Sequence, residues 1–293
     1  MLGFLLSYWY FKDRDLAALI EPLDPRPPIF ADSGAYSAMT QGGTVDLDAY
    51  AAWIDRWGHL FEAYASLDVI KDPKGTLRNH ARLLEKGLAP VPVFHAGEPW
   101  GYLDDYVASH PYVALGGLVG GPTAVRNPQM IGWLDQAFAR VNGAQVHGFG
   151  MTSWPLVARY PWHSVDSSSI GSGYRYGTVR CWDPYGRRWL GWKLADRRAW
   201  GKHGWLVREY GMTPGDFGGD RQHRTRSLMT LGARSMARAV GQLPARPQMY
   251  LVDTAFTWRA GAAGETMIEL FNTGGNAAPP PATRGTPGAA EQV

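Results

Sequence analysis

The sequence predicts an α/β fold of the TIM type: a (β/α)8 barrel with a basic, aromatic-rich insertion near the C-terminus. Three observations point there. Apolar runs of strand length recur along the chain and alternate with segments of helical periodicity, the pattern of parallel βαβ units. The runs are too apolar for a sheet with one wet face, so helices must cover it. Five or six runs end in aspartate, histidine or glycine while their starts are ordinary, the one-sided distribution of a barrel that carries its chemistry at strand C-termini. A doubly wound open sheet is the alternative arrangement of the same units.

In chain order, the strand candidates are 3–9, 28–32, 62–70, 90–95, 112–119, 144–150 and 162–166, and a later run, Gln248–Asp253, would close the barrel. The helical candidates between them are Asp46–Trp57, Lys74–Lys86, Tyr102–Ser109, Pro128–Val141 and Trp154–Arg159. Met130, Leu134, Ala137, Phe138 and Val141 share one face at helical spacing. After Gly171 the texture changes. Residues 171–220 hold Trp182, Trp189, Trp192, Trp200 and Trp205 among Gly, Tyr and Arg, and predict an irregular or partly β insertion. A helix is expected over 223–241. Residues 1–271 read as a single domain that includes the basic segment, and 272–293, rich in Gly, Pro, Ala and Thr, as a disordered tail.

Composition narrows the function. Hydrophobic residues make up 45% of 293, enough for a large core, and no apolar run reaches membrane-spanning length. The apolar start, residues 1–10, lacks a basic leader and a cleavage site and reads as a first strand. The single cysteine, Cys181, excludes an intrachain disulfide and a multi-cysteine zinc site, so no metal or other cofactor is expected, and a reducing cytoplasm is the natural setting. The net charge of +3 conceals an asymmetry: residues 1–170 carry 12 Lys/Arg against 17 Asp/Glu, and residues 171–240 carry 14 against 5. A basic segment beside an acidic one suits a polyanion partner, and Arg175, Arg187, Arg188, Arg197 and Arg198 are its candidate phosphate contacts. A solvated basic surface is the plain alternative. The Trp and Tyr of this segment could stack on exposed bases, although a small second core is the more ordinary use for most of them.

The residues that could carry chemistry sit at strand ends. Asp32 follows Ile29-Phe30-Ala31 and precedes Ser33-Gly34-Ala35-Tyr36, and Asp166 follows Trp162-His163-Ser164-Val165. Either could simply cap the next helix. Two such carboxylates from distant strands could instead meet in one pocket, one attacking a sugar while the other handles protons. Asp68 lies inside an apolar run, where a buried carboxylate needs a partner; the N–H groups of a purine edge would serve. Gly116-Gly117 in Ala114–Gly121 would let backbone approach a flat ligand. His147-Gly148-Phe149-Gly150-Met151 is another small-residue strand end, where Phe149 or Met151 could pack on a base or in the core. His95, followed by Glu98, lines a pocket or is an ordinary core histidine.

Taken in order, these motifs resemble the tRNA-guanine transglycosylases. Asp32-Ser33-Gly34-Ala35-Tyr36 is similar to their Asp-Ser-Gly-Gly-Phe/Tyr motif, and Gly116-Gly117-Leu118-Val119-Gly120 to their Gly-Gly-Leu-Ala-Val-Gly stretch. His147-Gly148-Phe149-Gly150 falls where they carry Met-Gly-Val-Gly. The resemblance covers roughly residues 1–170. It implies a TIM barrel that swaps guanine for a free 7-deazaguanine base without breaking the nucleic-acid backbone. Asp166 would be the nucleophile and Asp32 the general acid and then base. Asp68, Gly116, Gly117, His95 and His147 would surround the purine edge, with Tyr36 and Phe149 or Met151 on its faces. That family's structural zinc site uses three cysteines and a histidine, which one cysteine cannot supply. The wording, including Tyr-Pro-Trp-His-Ser-Val-Asp-Ser-Ser-Ser, is more similar to zinc-free, virus-encoded members associated with 7-deazaguanines in DNA, acting in the host cytoplasm. DNA is therefore the expected polymer, ahead of tRNA, and a homodimer is compatible with the chain. A non-catalytic nucleic-acid-binding barrel would not need both aspartates, and a two-carboxylate glycoside hydrolase would not need the basic segment or Asp68.

Overall fold

The first apolar run, Leu2–Ser7, is buried at every position and forms strand β1. In the computed structural model, which describes residues 2–118, 128–169 and 172–252, this strand sits near the middle of an eight-stranded parallel sheet. The other strands are β2 (Ile29–Asp32), β3 (Ala63–Tyr64), β4 (Val93–His95), β5 (Tyr112–Gly116), β6 (Gln145–Gly148), β7 (Ser164–Ser167), β8 (Thr178–Asp183), β9 (Arg188–Lys193) and β10 (Gln248–Val252). The sheet runs β3-β2-β1-β10-β7-β6-β5-β4, so the first and last strands are neighbours and the rest follow chain order on either side. Its two end strands are also tied together. Ala65, just past β3, forms a parallel bridge with Val91, just before β4. The Ser66 N–H donates to the Val91 carbonyl at 2.9 Å, and the Val91 N–H to that of Tyr64 at 2.8 Å. The sheet is curled, as in a TIM-like barrel.

Strand periodicity then decides what faces inward. Leu5, Phe30, Ala65, Val93, Ala114 and Tyr250 form an inner cluster, while their neighbours Phe4, Leu6, Ile29, Ala31, Phe94, Val113, Leu115, Val165 and Leu251 join the outer core against the helices. Side chains alternate along a strand, so the residue two past an inward one is inward too. Asp32 follows Phe30, His95 follows Val93 and Gly116 follows Ala114 by that step. Asp166 lies between outward Val165 and the next residue of β7, opposite Tyr250. One end of the sheet therefore gathers the polar residues above an apolar plug.

The helices are α1 (Tyr8–Phe11), α2 (Leu16–Ile20), α3 (Ala35–Thr40), α4 (Leu47–Trp57), α5 (Pro73–Glu85), α6 (Trp100–Ser109), α7 (Pro128–Arg140), α8 (Trp154–Arg159), α9 (Ser172–Tyr176), α10 (Arg197–His203) and α11 (Arg221–Gly241). Aspartate starts several of them. Asp46 caps α4, Asp72 caps α5 ahead of Pro73, and Asp220 caps α11, each accepting an N–H three residues on at 2.8–2.9 Å. The helical expectations hold within two residues or so.

Several strands are shorter than expected, among them β4, β5 and β6. Tyr8 and Trp9 of the 3–9 run turn into α1, and the 62–70 run keeps only Ala63–Tyr64 as strand. Asp68 thus stands on the irregular chain after β3. The expected extension of β5 beyond Leu118, the glycines at 120–121 and the tail at 272–293 lie outside the described residues.

The basic segment is partly β, one of the two forms expected of it. Strands β8 and β9 form an antiparallel hairpin packed on α11. Trp182, Trp192, Val179, Cys181, Leu206 and Phe217 make a second core, with Trp189 and Trp200 against it, so most of these aromatics serve packing. Helix α11 belongs to both cores: Ala233, Met236 and Val240 face the first, Leu228 and Leu231 the second.

Phe30 is fully buried at the centre of the inner cluster and stacks on the His147 ring at 4.4 Å. Phe30→Ala is expected to cost about 3–5 kcal/mol. Chemical denaturation checks this; a loss below about 1 kcal/mol would show that the plug does not hold the strands together.

Candidate active site

Asp32 ends β2, and its Oδ2 accepts the Gly34 N–H at 3.1 Å. Gly34 is left-handed, with φ 74°, and a Cβ there would lie 2.4 Å from the Ser7 Oγ. The chain can therefore turn sharply from Asp32 into α3 only with glycine. Ser33 points the other way and donates its hydroxyl to Asp68 Oδ1 at 2.9 Å. The second oxygen of Asp68 meets His95 Nε2 at 3.0 Å. On the far side of the ring, His95 Nδ1 faces Glu98 Oε1 at 3.3 Å, and Glu98 Oε2 also accepts the His95 backbone N–H at 3.1 Å.

The electrostatics follow from this crowding. Burial, then the negative charges of Asp68 and Asp166, push the Asp32 carboxyl from 3.8 up to about 7, against the pull of the Gly34 and Ser33 N–H groups. Both other aspartates act on Asp32, so carboxylates from β2, from the chain after β3 and from β7 come near one another at one end of the sheet. Burial pulls the His95 ring down, but its hydrogen bonds to Asp68 and Glu98 outweigh that and raise it from 6.5 to about 9. At neutral pH His95 is an imidazolium clamped between two carboxylates.

Asp166 is 6% exposed, and its Oδ1 accepts the Gly150 N–H at 2.7 Å. It does not cap its own loop; Ser167 Oγ does that, accepting from the Ser169 N–H at 3.1 Å. Beneath Asp166, fully buried His147 shares a 2.6 Å hydrogen bond through Nδ1 with Ser164 Oγ, which is also 2.6 Å from the Tyr112 hydroxyl. His147 Nε2 lies 3.4 Å from Asp166 Oδ1, within ion-pair reach but without hydrogen-bond geometry, and no other group satisfies it. His147 supports Asp166 from below and does not reach the pocket opening.

Several expected roles change. Gly116 does not open room for a flat ligand: a Cβ there would come within 2.5 Å of His95 Cδ2, so the missing side chain makes space for that ring. Gly117, exposed, lies next to Ala96. Met151 is 2% exposed within the outer core and has no free face for a base. Phe149 is partly buried at the top of the inner cluster, 4.5 Å from the His147 ring, and Tyr36 is 64% exposed on α3. Arg187 donates to the Gln242 carbonyl at the end of α11 at 2.6 Å, a cation set at a helix C-terminus, and Arg188 stands 3.6 Å from Asp183. Both contacts lie on the surface, and all five arginines, Arg175, Arg187, Arg188, Arg197 and Arg198, are exposed.

Glu98, noted with His95 at one strand end, completes the site together with Ser33 and Ser164, which had no expected role there. Glu98, three residues past His95, had the spacing of a turn contact. Ser33 and Ser164 had no signal beyond adjacency to a strand end. Among the described residues no three His, Cys, Asp or Glu side chains are grouped to hold a metal ion. Comparison with protein-family models, with curated proteins and with solved structures finds no match to this chain.

Two outcomes are expected. Gly116→Ala should displace His95 from Asp68, and the His95 titration, followed by NMR, should move down from about 9 toward 6.5; an unmoved titration would mean the ring tolerates the methyl group. For Asp32 the sign runs against stability. The unfolded carboxyl ionises near 3.8 and the folded one near 7, so the native state loses stability as pH rises between them. Asp32→Asn, with no proton to lose, should melt higher than the parent at pH 8 and nearly level with it at pH 4. A difference that does not grow with pH would contradict the raised Asp32.

Proposed function

We propose that this protein exchanges guanine in nucleic acid, DNA before tRNA, for a 7-deazaguanine base through a covalent aspartyl-glycosyl intermediate. The observation that carries the reading is the meeting of Asp32, Asp68 and Asp166 at one end of the sheet, with Asp32 raised to about 7 by burial first and by the charges of the other two second. Displacing guanine builds positive charge on the sugar, and the base leaves readily only with a proton. Asp166, fixed by the Gly150 N–H, is the carboxylate placed to capture the sugar carbon. Asp32 holds the proton for the departing base. Once Asp166 is esterified its charge is gone, the repulsion on Asp32 falls, and the ionised Asp32 can take a proton from the incoming base. The protons therefore balance over the cycle: one given to guanine, one recovered from its replacement.

Asp68 and the cationic His95 form the polar wall of the pocket. Phe149 and the exposed ring of Tyr36 are the aromatic faces at its rim, where a base withdrawn from its stack would be held. The excess of positive charge in residues 171–240, with Arg175, Arg197 and Arg198 on the surface, supports a polyanionic substrate. The choice of DNA rests on the likeness to zinc-free, virus-encoded transglycosylases.

The test is incubation with labelled guanine and either DNA or tRNA, followed by mass spectrometry of the nucleosides. Exchange into DNA is expected; release of base without replacement would make the protein a hydrolase. Asp166→Asn should lower exchange at least about 10³-fold and abolish the covalent adduct on denaturing gels. An adduct that persists in that variant would place the nucleophile elsewhere. Exchange should also decline as pH rises through about 7, where Asp32 loses its proton. A rate that stays level between pH 6 and 8.5 would remove Asp32 from the acid role.

A further inference from the structure

We propose that Arg180, backed by Trp189, binds one phosphate group of the nucleic-acid strand beside the loop that follows Asp166. Arg180 is the third residue of β8 and pairs with Gly191 across the hairpin, so no side chain covers it from that partner. Its neighbours Val179 and Cys181 are fully buried in the second core. Strand alternation therefore puts Arg180 on the opposite face, with Trp182 and Trp189. Its guanidinium lies over the Trp189 ring at 5.0 Å from the centroid. In front of it is a small pocket lined by Ser169, Gly173, Trp189, Leu228 and Met236. None of these side chains is acidic.

Among the described residues no carboxylate or carbonyl accepts a hydrogen bond from this guanidinium, and stacking on Trp189 is its contact. Burial lowers its pKa with no acid opposing that. A half-buried cation with no counter-charge is costly to hold. Other arginines of the fold have found acceptors: Arg140 pairs with Asp104, Arg159 with Asp135, and Arg187 holds the Gln242 carbonyl. A guanidinium that lies over an indole and lines a pocket can offer two parallel N–H groups to a tetrahedral oxyanion. Ser169 joins this pocket to the candidate active site, three residues past Asp166. On the base-exchange reading, the phosphate flanking the attacked nucleotide is the anion that passes there; a free phosphate has the same chemistry and is the other source.

The full chain is titrated with a labelled single-stranded oligodeoxynucleotide at several salt concentrations, alongside Arg180→Gln and Arg180→Lys. Losing one phosphate contact should reduce the slope of log affinity against log salt by about 0.7 in Arg180→Gln and weaken binding several-fold at low salt, while Arg180→Lys keeps most of the slope. Should Arg180→Gln fail to fold, the unaltered chain decides. Phenylglyoxal modification of Arg180, mapped by mass spectrometry, should be slowed several-fold by the oligonucleotide. A parental slope in folded Arg180→Gln, or no protection, overturns the site. Protection by inorganic phosphate and none by the oligonucleotide overturns the polymer as its source. An Arg180-dependent slope in a protein that exchanges no base supports this site and removes the exchange reading alone.

Discussion

Asp32 is buried beside the charges of Asp68 and Asp166, and the rest of the site depends on how these three carboxylates are accommodated at one end of the sheet. Asp68 is paired with His95, which stays cationic because Asp68 and Glu98 hold its two ring nitrogens. Asp166 takes a short backbone N–H from Gly150. Asp32 has two N–H groups and no cation, and keeps a proton instead. Three carboxylates of one residue type are thus in three different conditions, set by neighbours and not by sequence context alone. Each arrangement depends on backbone that only glycine allows: the left-handed turn at Gly34 and the space above Gly116 that His95 fills.

Much of this was legible in the sequence because strand pattern is local. Seven of the expected runs and the late run 248–253 became strands, since alternating burial on a two-sided sheet leaves a continuous apolar signature. The inward step from Phe30 to Asp32, and from Val93 to His95, also follows from period two once the strands are known. What could not be read is pairing at a distance. The 62–70 run is as apolar as its neighbours, yet its strand ends after Tyr64. The chain must leave the sheet there for Asp68 to meet Ser33 and His95. Gly116 looked like a place for a ligand because a missing Cβ says that something approaches closely, not what; here it is a side chain from the next strand. Likewise Arg187 and Arg188 looked like phosphate contacts because charge is visible in a sequence and partners are not. In the fold Arg187 reaches the Gln242 carbonyl at the end of α11, and Arg188 stands beside Asp183.

The appended hairpin has a structural consequence for the pocket. Helix α11 contributes one face to the core behind the sheet and another to the core of β8 and β9, and the chain then returns as β10 between β1 and β7. Strand β10 pairs with β7 at Asp166, through Tyr250, and with β1 beside Asp32. The appendage is therefore not a module hung from a loop. Its packing fixes the helix that leads into β10, one of the two strands between those of Asp32 and Asp166. Trp154 adds a second tie, from α8 of the main fold to Trp182 at 5.0 Å. A strand of nucleic acid held on the basic appendage would be held in fixed relation to Asp166. On the proposed function, the binding energy of distant phosphates could then serve to position one nucleotide.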